Sequence, residues 1–390
     1  MSVRDRLSGN EATSIAIRQI NPDVFAAFPI TPSTEIPQFV SQFKARGTMS
    51  GEFVTVESEH SSISACVGAS AAGVRAMTAT SSAGLALMHE ILYIAASCRL
   101  PIVAAVVNRA LSGPININND HSDSMGSREA GWIQLYSENA QEAYDNMLMA
   151  HRIAEDPSVK LPVMICSDGF ITSHAVENVL LESDEFVRSF VGTYRPEHYL
   201  LNPNEPMSAG PYDIPAYYME HKLLQTRAME KAKDIVVDVG REFAAQTGRQ
   251  YGLFEEYRME DAKYAVLVMS SSAGTGKSAV DELRKKGEKA GLIKLRCFRP
   301  FPAKELAEAV KKLKALCIMD KCDSFSSCGG PIGADMRAAL YANHVYIETQ
   351  NLIYGLGGRD VRIDDFYEVF DDMRSGRHSD KMFSYLGSRE

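Results

Sequence analysis

Six short apolar runs near the start of the chain, each followed by a helix-like stretch, constrain its fold more than any other feature. The runs lie at 23–28, 53–57, 75–80, 102–107, 133–136 and 163–167; they are rich in Val, Ile and Ala and lack clean polar alternation. Strands of that kind are covered on both faces, as in parallel sheets. Their alternation with helices predicts an α/β architecture. Helix starts are readable between them: Asn139 and Glu142 have the spacing of an N-cap and its N3 partner, with Tyr144, Met147 and Leu148 along one face. Residues 195–215 carry Pro196, Pro203, Pro206, Pro211 and Pro215 and read as a wrapping linker into a long helix over 216–246. A second α/β unit follows, with strands expected at 264–270, 292–297, 316–320 and 345–348 and a helix at 363–374. The reading divides the chain into 1–245, which includes the linker and long helix, and 255–390.

A formal charge of −9 over 390 residues, with no basic run, argues against a nucleic-acid partner, whose phosphates demand clustered Lys and Arg. No uncharged stretch approaches membrane-spanning length, and the first residues, MSVRDRLSGNEATS, lack an apolar signal core. The seven cysteines (66, 98, 166, 297, 317, 322 and 328) are scattered and odd in number. That fits reduced thiols in a cytoplasmic protein, with no disulfide framework and no iron–sulfur cluster of the chain's own.

In open α/β sheets ligands sit beyond the carboxyl ends of the strands. Five of the first unit's strands run there into polar or glycine-rich loops: PITPSTE after Phe28, SEH after Glu57, SSAG after Thr80, Asn108-Arg109, and Asp168-Gly169-Phe170. Each has a plainer alternative. Thr31-Pro32 fits an N-cap followed by a first-turn proline, Ser81 and Ser82 a helix start, and Glu59 a carboxylate at a helix N-terminus. Glu57 is expected on the same strand face as Glu59, in a structural role, and His60 and His89 read as packed or surface side chains. Arg109 resists such a reading, because an arginine ending a buried strand needs an anionic partner. Gly274-Thr275-Gly276-Lys277-Ser278 lacks the glycine of a phosphate loop at Ser271 and reads as a strand-to-helix turn with Ser278 near the cap. Asp120, His121 and Asp123, within NNDHSDSMGSRE, are too crowded for a metal set and read as a mobile polar loop beside the site.

Five segments occur in one order: FPITPSTEI (28–36), SEH before a small-residue helix (58–72), TATSSAGLALMHE (78–90), NRALSGPININNDHSD (108–123) and LPVMICSDGF (161–170). In that order they resemble the α subunit of the pyruvate:ferredoxin oxidoreductase (pyruvate synthase) and 2-oxoacid:ferredoxin oxidoreductase family. The resemblance covers nearly the whole chain. It implies a pyrimidine-type thiamine-diphosphate-binding domain plus a transketolase C-terminal-like α/β domain, the latter structural and subunit-binding. It implies thiamine diphosphate shared with a β subunit that holds the diphosphate and magnesium. It further implies 4Fe-4S iron–sulfur clusters on partner subunits (γ and δ, ferredoxin-like), ferredoxin as electron acceptor and coenzyme A as co-substrate. No GDG…N run for magnesium diphosphate occurs here; Asp168-Gly169-Phe170 comes nearest and lacks the asparagine. Carried over residue by residue, the resemblance gives Glu59 a catalytic hydrogen bond to the cofactor's pyrimidine ring nitrogen. Pro29, Ile30, Ser81 and Ser82 then line the cofactor, and Thr31 and Arg109 hold the 2-oxoacid carboxylate. Pyruvate is the implied substrate, with oxalate or a branched-chain 2-oxoacid as alternatives and a non-catalytic scaffold as a third.

Overall fold

Every residue of the strands Ala76–Thr80, Val103–Asn108, Ile133–Ser137 and Val163–Asp168 is buried, which is what non-alternating apolar runs require of a sheet covered on both faces. The computed structural model describes residues 2–210, 212–377 and 380–389, so Pro211 of the expected linker lies outside them. Its larger sheet has seven strands in the order Cys297–Arg299, Ile133–Ser137, Val163–Asp168, Val103–Asn108, Ala76–Thr80, Val24–Ala27, Glu52–Thr55. All neighbours pair in parallel except Cys297–Arg299, which runs antiparallel to Ile133–Ser137.

Alternate residues of these strands enter different cores, as the two-residue period of a strand dictates. Ala105, Val107 and Ile165 pack with the helices Gly9–Ile20, Ala140–Ala154 and the buried stripe of Pro215–Thr247. Ala104, Val106 and Met164 join a second core that continues into Leu267, Ile293 and Leu316 of the other sheet. That sheet orders Ser384–Tyr385, Glu348–Ile353, Ala315–Asp320, Tyr264–Met269, Ala290–Leu295 and Phe254–Tyr257, the last antiparallel. Its far face is covered by the helices Ser272–Lys285 and Ile363–Ser375. The two halves therefore share one apolar core.

The Asn139 cap forms as read, its Oδ1 accepting the Glu142 N–H at 2.9 Å. The long helix starts with Pro215 at its first position and ends on Gly248 in the left-handed conformation. The proline-rich stretch before it runs beside the small-residue helix, where Leu200 N–H donates to Ala71 O at 2.8 Å. Among the described residues no helix is long and apolar enough to cross a membrane.

Other expectations are corrected. The strand placed at 345–348 is Glu348–Ile353; its polar letters hid it, since Gln350 and Asn351 are buried by bonding backbone carbonyls of Arg377 and Ile318. The run 292–297 splits: Ala290–Leu295 stays in the second sheet while Cys297–Arg299 crosses to the first. The strand at 53–57 ends at Thr55, so Glu57 stands exposed in the turn rather than on a strand face, accepting a bond from the Ser61 hydroxyl. Gly274 to Ser278 lie inside the helix Ser272–Lys285, not in a turn before it. Val3–Leu7, too charged to read as a strand, pairs antiparallel with Glu177–Leu181.

Candidate active site

Parallel pairing brings the carboxyl ends of Val24–Ala27, Glu52–Thr55, Ala76–Thr80, Val103–Asn108 and Val163–Asp168 to one rim. The five loops singled out in the sequence all leave from it. The first, FPITPSTE, is pinned from below: buried Asn10 donates through Nδ2 to Pro32 O (2.9 Å) and Glu35 (3.0 Å), and the Ser33 hydroxyl bonds Ile30 O (2.8 Å). Thr31 is not the helix cap; the helix is Glu35–Ala45 behind Thr34, and Thr31 sits exposed in the preceding turn. Pro29 is exposed and Ile30 half-buried beside it, so this lip of the rim opens outward.

Arg109 is 7% exposed, and no carboxylate among the described residues pairs with it. Its Nη1 donates to Thr31 O at 2.9 Å and its Nε to Asn116 O at 3.2 Å. Two of five guanidinium N–H groups are thus committed to carbonyls, and the cation lacks an anion.

Glu59 opens the helix Glu59–Ala71 behind its cap Ser58, whose hydroxyl accepts the Ser61 N–H at 3.2 Å. The small residues of this helix allow a close approach to the sheet: the Ser62 hydroxyl reaches Ala26 O and Thr78, and the Cys66 thiol reaches Met77 O. The Glu59 carboxylate, 6% exposed, makes no hydrogen bond or ion pair among the described residues. It lies over Gly84, where a Cβ would come within 2.7 Å of Glu59 Oε1 and 2.6 Å of Thr80 Oγ1. Thr80 Oγ1 and Ser81 Oγ are themselves buried without partners. His60 is half-buried and His89 exposed, outside this arrangement.

Ser82 is committed differently. Its left-handed backbone (φ 45°) costs about 1–3 kcal/mol and aims its N–H at Asp123 Oδ2, 2.9 Å away, while its hydroxyl donates to Ala110 O. Asp123 also accepts from Arg109 N–H (3.0 Å), Asn108 Nδ2 (2.8 Å) and Ser124 N–H (2.7 Å). The stretch from Asn119 to Asp123 is therefore no mobile loop: four of its five residues are nearly inaccessible, and it is held by strand ends on both sides. Its acids and histidine face different partners rather than one centre. The acid-rich segment was visible in the sequence; that its last carboxylate joins two strand ends was not.

Burial pushes the Asp123 carboxyl from 3.8 up to about 6, against the four donors that lower it. Such a group binds its proton more tightly when folded, so its stabilising contribution is full below about pH 4 and lost as pH rises through about 6. The stability gap between the native chain and Asp123→Asn is accordingly expected to shrink between pH 4 and pH 7, by up to about 3 kcal/mol in chemical denaturation. A gap that widens over that range contradicts the assignment.

Residues 15–241 match the family described as "Pyruvate flavodoxin/ferredoxin oxidoreductase, thiamine diP-bdg", and residues 262–366 match "Pyruvate:ferredoxin oxidoreductase core domain II". The chain belongs to this oxidoreductase family. Pyruvate synthase subunit PorA of Thermotoga maritima is 48% identical over 99% of this chain and 98% of its own length. The PorA subunit of Methanocaldococcus jannaschii is 44% identical over 98% of each. Ketoisovalerate oxidoreductase subunit VorA of Pyrococcus abyssi is 41% identical over 97% of this chain and 96% of its own. Among solved structures, 2-oxoglutarate:ferredoxin oxidoreductase from Magnetococcus marinus, with 2-oxoglutarate, coenzyme A and succinyl-CoA bound, superposes with a TM-score of 0.73 at 19% identity. The superposition covers 95% of this chain and 65% of that one. A split-gene transketolase, an inactive β4 tetramer, superposes with a TM-score of 0.53 at 12% identity over 95% of this chain and 98% of its own. These two likenesses show the α/β fold, and the family model over residues 15–241 is the thiamine-diphosphate-binding one.

Proposed function

We propose that this chain is the α subunit of a pyruvate:ferredoxin oxidoreductase and supplies one wall of a thiamine diphosphate site. The other wall, which grips the diphosphate and its magnesium, then comes from a β subunit. The observation that carries the reading is a buried carboxyl group and a buried guanidinium on one rim, Glu59 and Arg109, neither given an ionic partner among the described residues. A buried charge without a partner is expensive, so each is placed for a ligand. The residues fit the cofactor: Thr80 Oγ1 and Ser81 Oγ are also buried and unpartnered, and the absence of a Cβ at Gly84 lets the Glu59 carboxylate pack close beside Thr80.

When bound, the cofactor supplies the electron sink for decarboxylation of the 2-oxoacid. This chain's residues do the rest of what falls to its wall. Glu59 would share a proton with the pyrimidine ring nitrogen, Pro29, Ile30 and Ser81 would line the cofactor, and Ser82 acts behind them through Asp123. Arg109 presents its uncommitted N–H groups to the substrate carboxylate, and Thr31 lies beside it. The helix Glu59–Ala71, tight against the sheet, excludes water from below. Acyl transfer to coenzyme A and electron transfer to ferredoxin fall to the assembly, with 4Fe-4S clusters on γ and δ subunits. Leu87 and Ile171, exposed on short helices that follow this rim, and Ile115 and Ile117, exposed on the loop after Val103–Asn108, give a partner chain an apolar collar to cover. We take 1–245 as the cofactor unit and 255–390 as the transketolase C-terminal-like unit, and place the protein in the cytoplasm, where its seven free thiols stay reduced.

Co-expression with the partner chains, purification and a substrate panel test the proposal. The complex is expected to oxidise pyruvate with coenzyme A faster than 2-oxoisovalerate or oxalate, and the isolated chain to show no turnover. Full activity from the isolated chain overturns the shared site, and a pyruvate rate below the branched-chain rate overturns the substrate.

A further inference from the structure

We propose that Lys321, on the second α/β unit, is a positioning residue for the carboxylate clamp: through Asp168 and His121 it holds the loop on which Arg109 leans. The inference rests on the proposed function. Lys321 Nζ meets Asp168 Oδ2 at 2.7 Å, and the other oxygen, Oδ1, meets His121 Nε2 at 2.9 Å; the side chains are 3%, 0% and 2% exposed. Ser271 donates to Asp168 through both its N–H and its hydroxyl, and Tyr354 lies under the ammonium. Burial alone would raise the Asp168 carboxyl, but Lys321 and His121 outweigh it and hold the group far below the ordinary carboxylate range.

Contacts onward from this cluster lead to the site. The His121 N–H donates to Lys321 O at 2.8 Å. The adjacent Asp120 accepts the Gly357 N–H at 3.2 Å, and Asn116 Nδ2 donates to Gly357 O at 2.9 Å. Gly358 must be glycine here, because a Cβ would sit 2.4 Å from that of Asn118. The second unit thus grips the loop at 116, 118, 120 and 121, and the carbonyl of Asn116 receives Arg109 Nε. A buried ion pair contributes little net stability by itself, so a plain staple between the units would be served as well by apolar side chains. What the charged cluster adds is direction, since each polar bond fixes an angle as well as a distance.

Lys321→Met in the assembled enzyme is expected to raise the KM for pyruvate about tenfold, with kcat changed less than about threefold and thiamine diphosphate affinity unchanged. His121→Asn, which leaves the Lys321–Asp168 pair in place, is expected to move KM the same way and carries the test if the first variant fails to fold. Lys277→Met is the control: Lys277 joins Glu138 of the first unit and Glu255 of its own unit but bonds neither Arg109 nor the 116–121 loop, so it should lower the melting temperature and leave KM alone. If Lys321→Met and His121→Asn melt earlier yet keep the native KM, the cluster is only a staple and the inference falls. If the native complex turns over no 2-oxoacid, the functional reading fails first, which is a separate result.

Discussion

Glu59→Gln in the assembled complex should lose about 10²- to 10⁴-fold in kcat, the range in which a positioned acid–base group acts. Glutamine matches glutamate in shape, so the contact over Gly84 and the cap at Ser58 survive. What disappears is a group able to hold and release a proton at the ring nitrogen. Because the native carboxylate is buried without a partner, the variant is expected to melt no earlier than the native chain, and the change exchanges function for stability. Steady-state turnover, with calorimetric melting on the same preparation, checks both halves. A variant as active as the native complex would convert the subunit into a scaffold that merely keeps the fold.

Arg109→Met should lower kcat/KM for pyruvate by about 10²- to 10⁴-fold, since each hydrogen bond from a charged group contributes roughly 1.5–3 kcal/mol and a fork supplies two. The loss should fall mainly on KM. Some stability goes too, because the carbonyls of Thr31 and Asn116 each lose a donor; with Thr31 exposed and Asn116 half-buried, the cost is about 1 kcal/mol apiece. Arg109→Lys separates charge from geometry: it restores a cation but not a planar fork, and should recover part of the affinity. Kinetics with pyruvate and with a neutral analogue lacking the carboxylate complete the test. If methionine leaves the pyruvate KM unchanged, the carboxylate is bound elsewhere.

Of the two residues these variants address, Arg109 stood out locally as an arginine at the end of a six-residue buried strand, whereas Glu59 read locally as a carboxylate at a helix N-terminus and owes its proposed role to the family resemblance. Two strands were less legible. Glu348–Ile353 carries Gln350 and Asn351 at buried positions, and their amides are satisfied only by carbonyls on neighbouring segments. Val3–Leu7 is charged along its length and becomes a strand because Glu177–Leu181 offers it a ladder. Ser82 and Asp123 were each in view, as a helix start and as part of a polar loop; their bond across 41 positions was not.

The type of most helices and strands and the polar character of the rim loops were already written in windows of a few residues. Periods of 2 and 3.6, caps and glycine turns all act over that range. The meeting of Lys321 with Asp168 across 153 positions, the transfer of Cys297–Arg299 to the other sheet and the burial of Asp123 belong to the assembled chain. Those contacts depend on which strand ends the sheet order brings together, and no short window holds that information, because their energy exists only after distant segments have closed onto a common core.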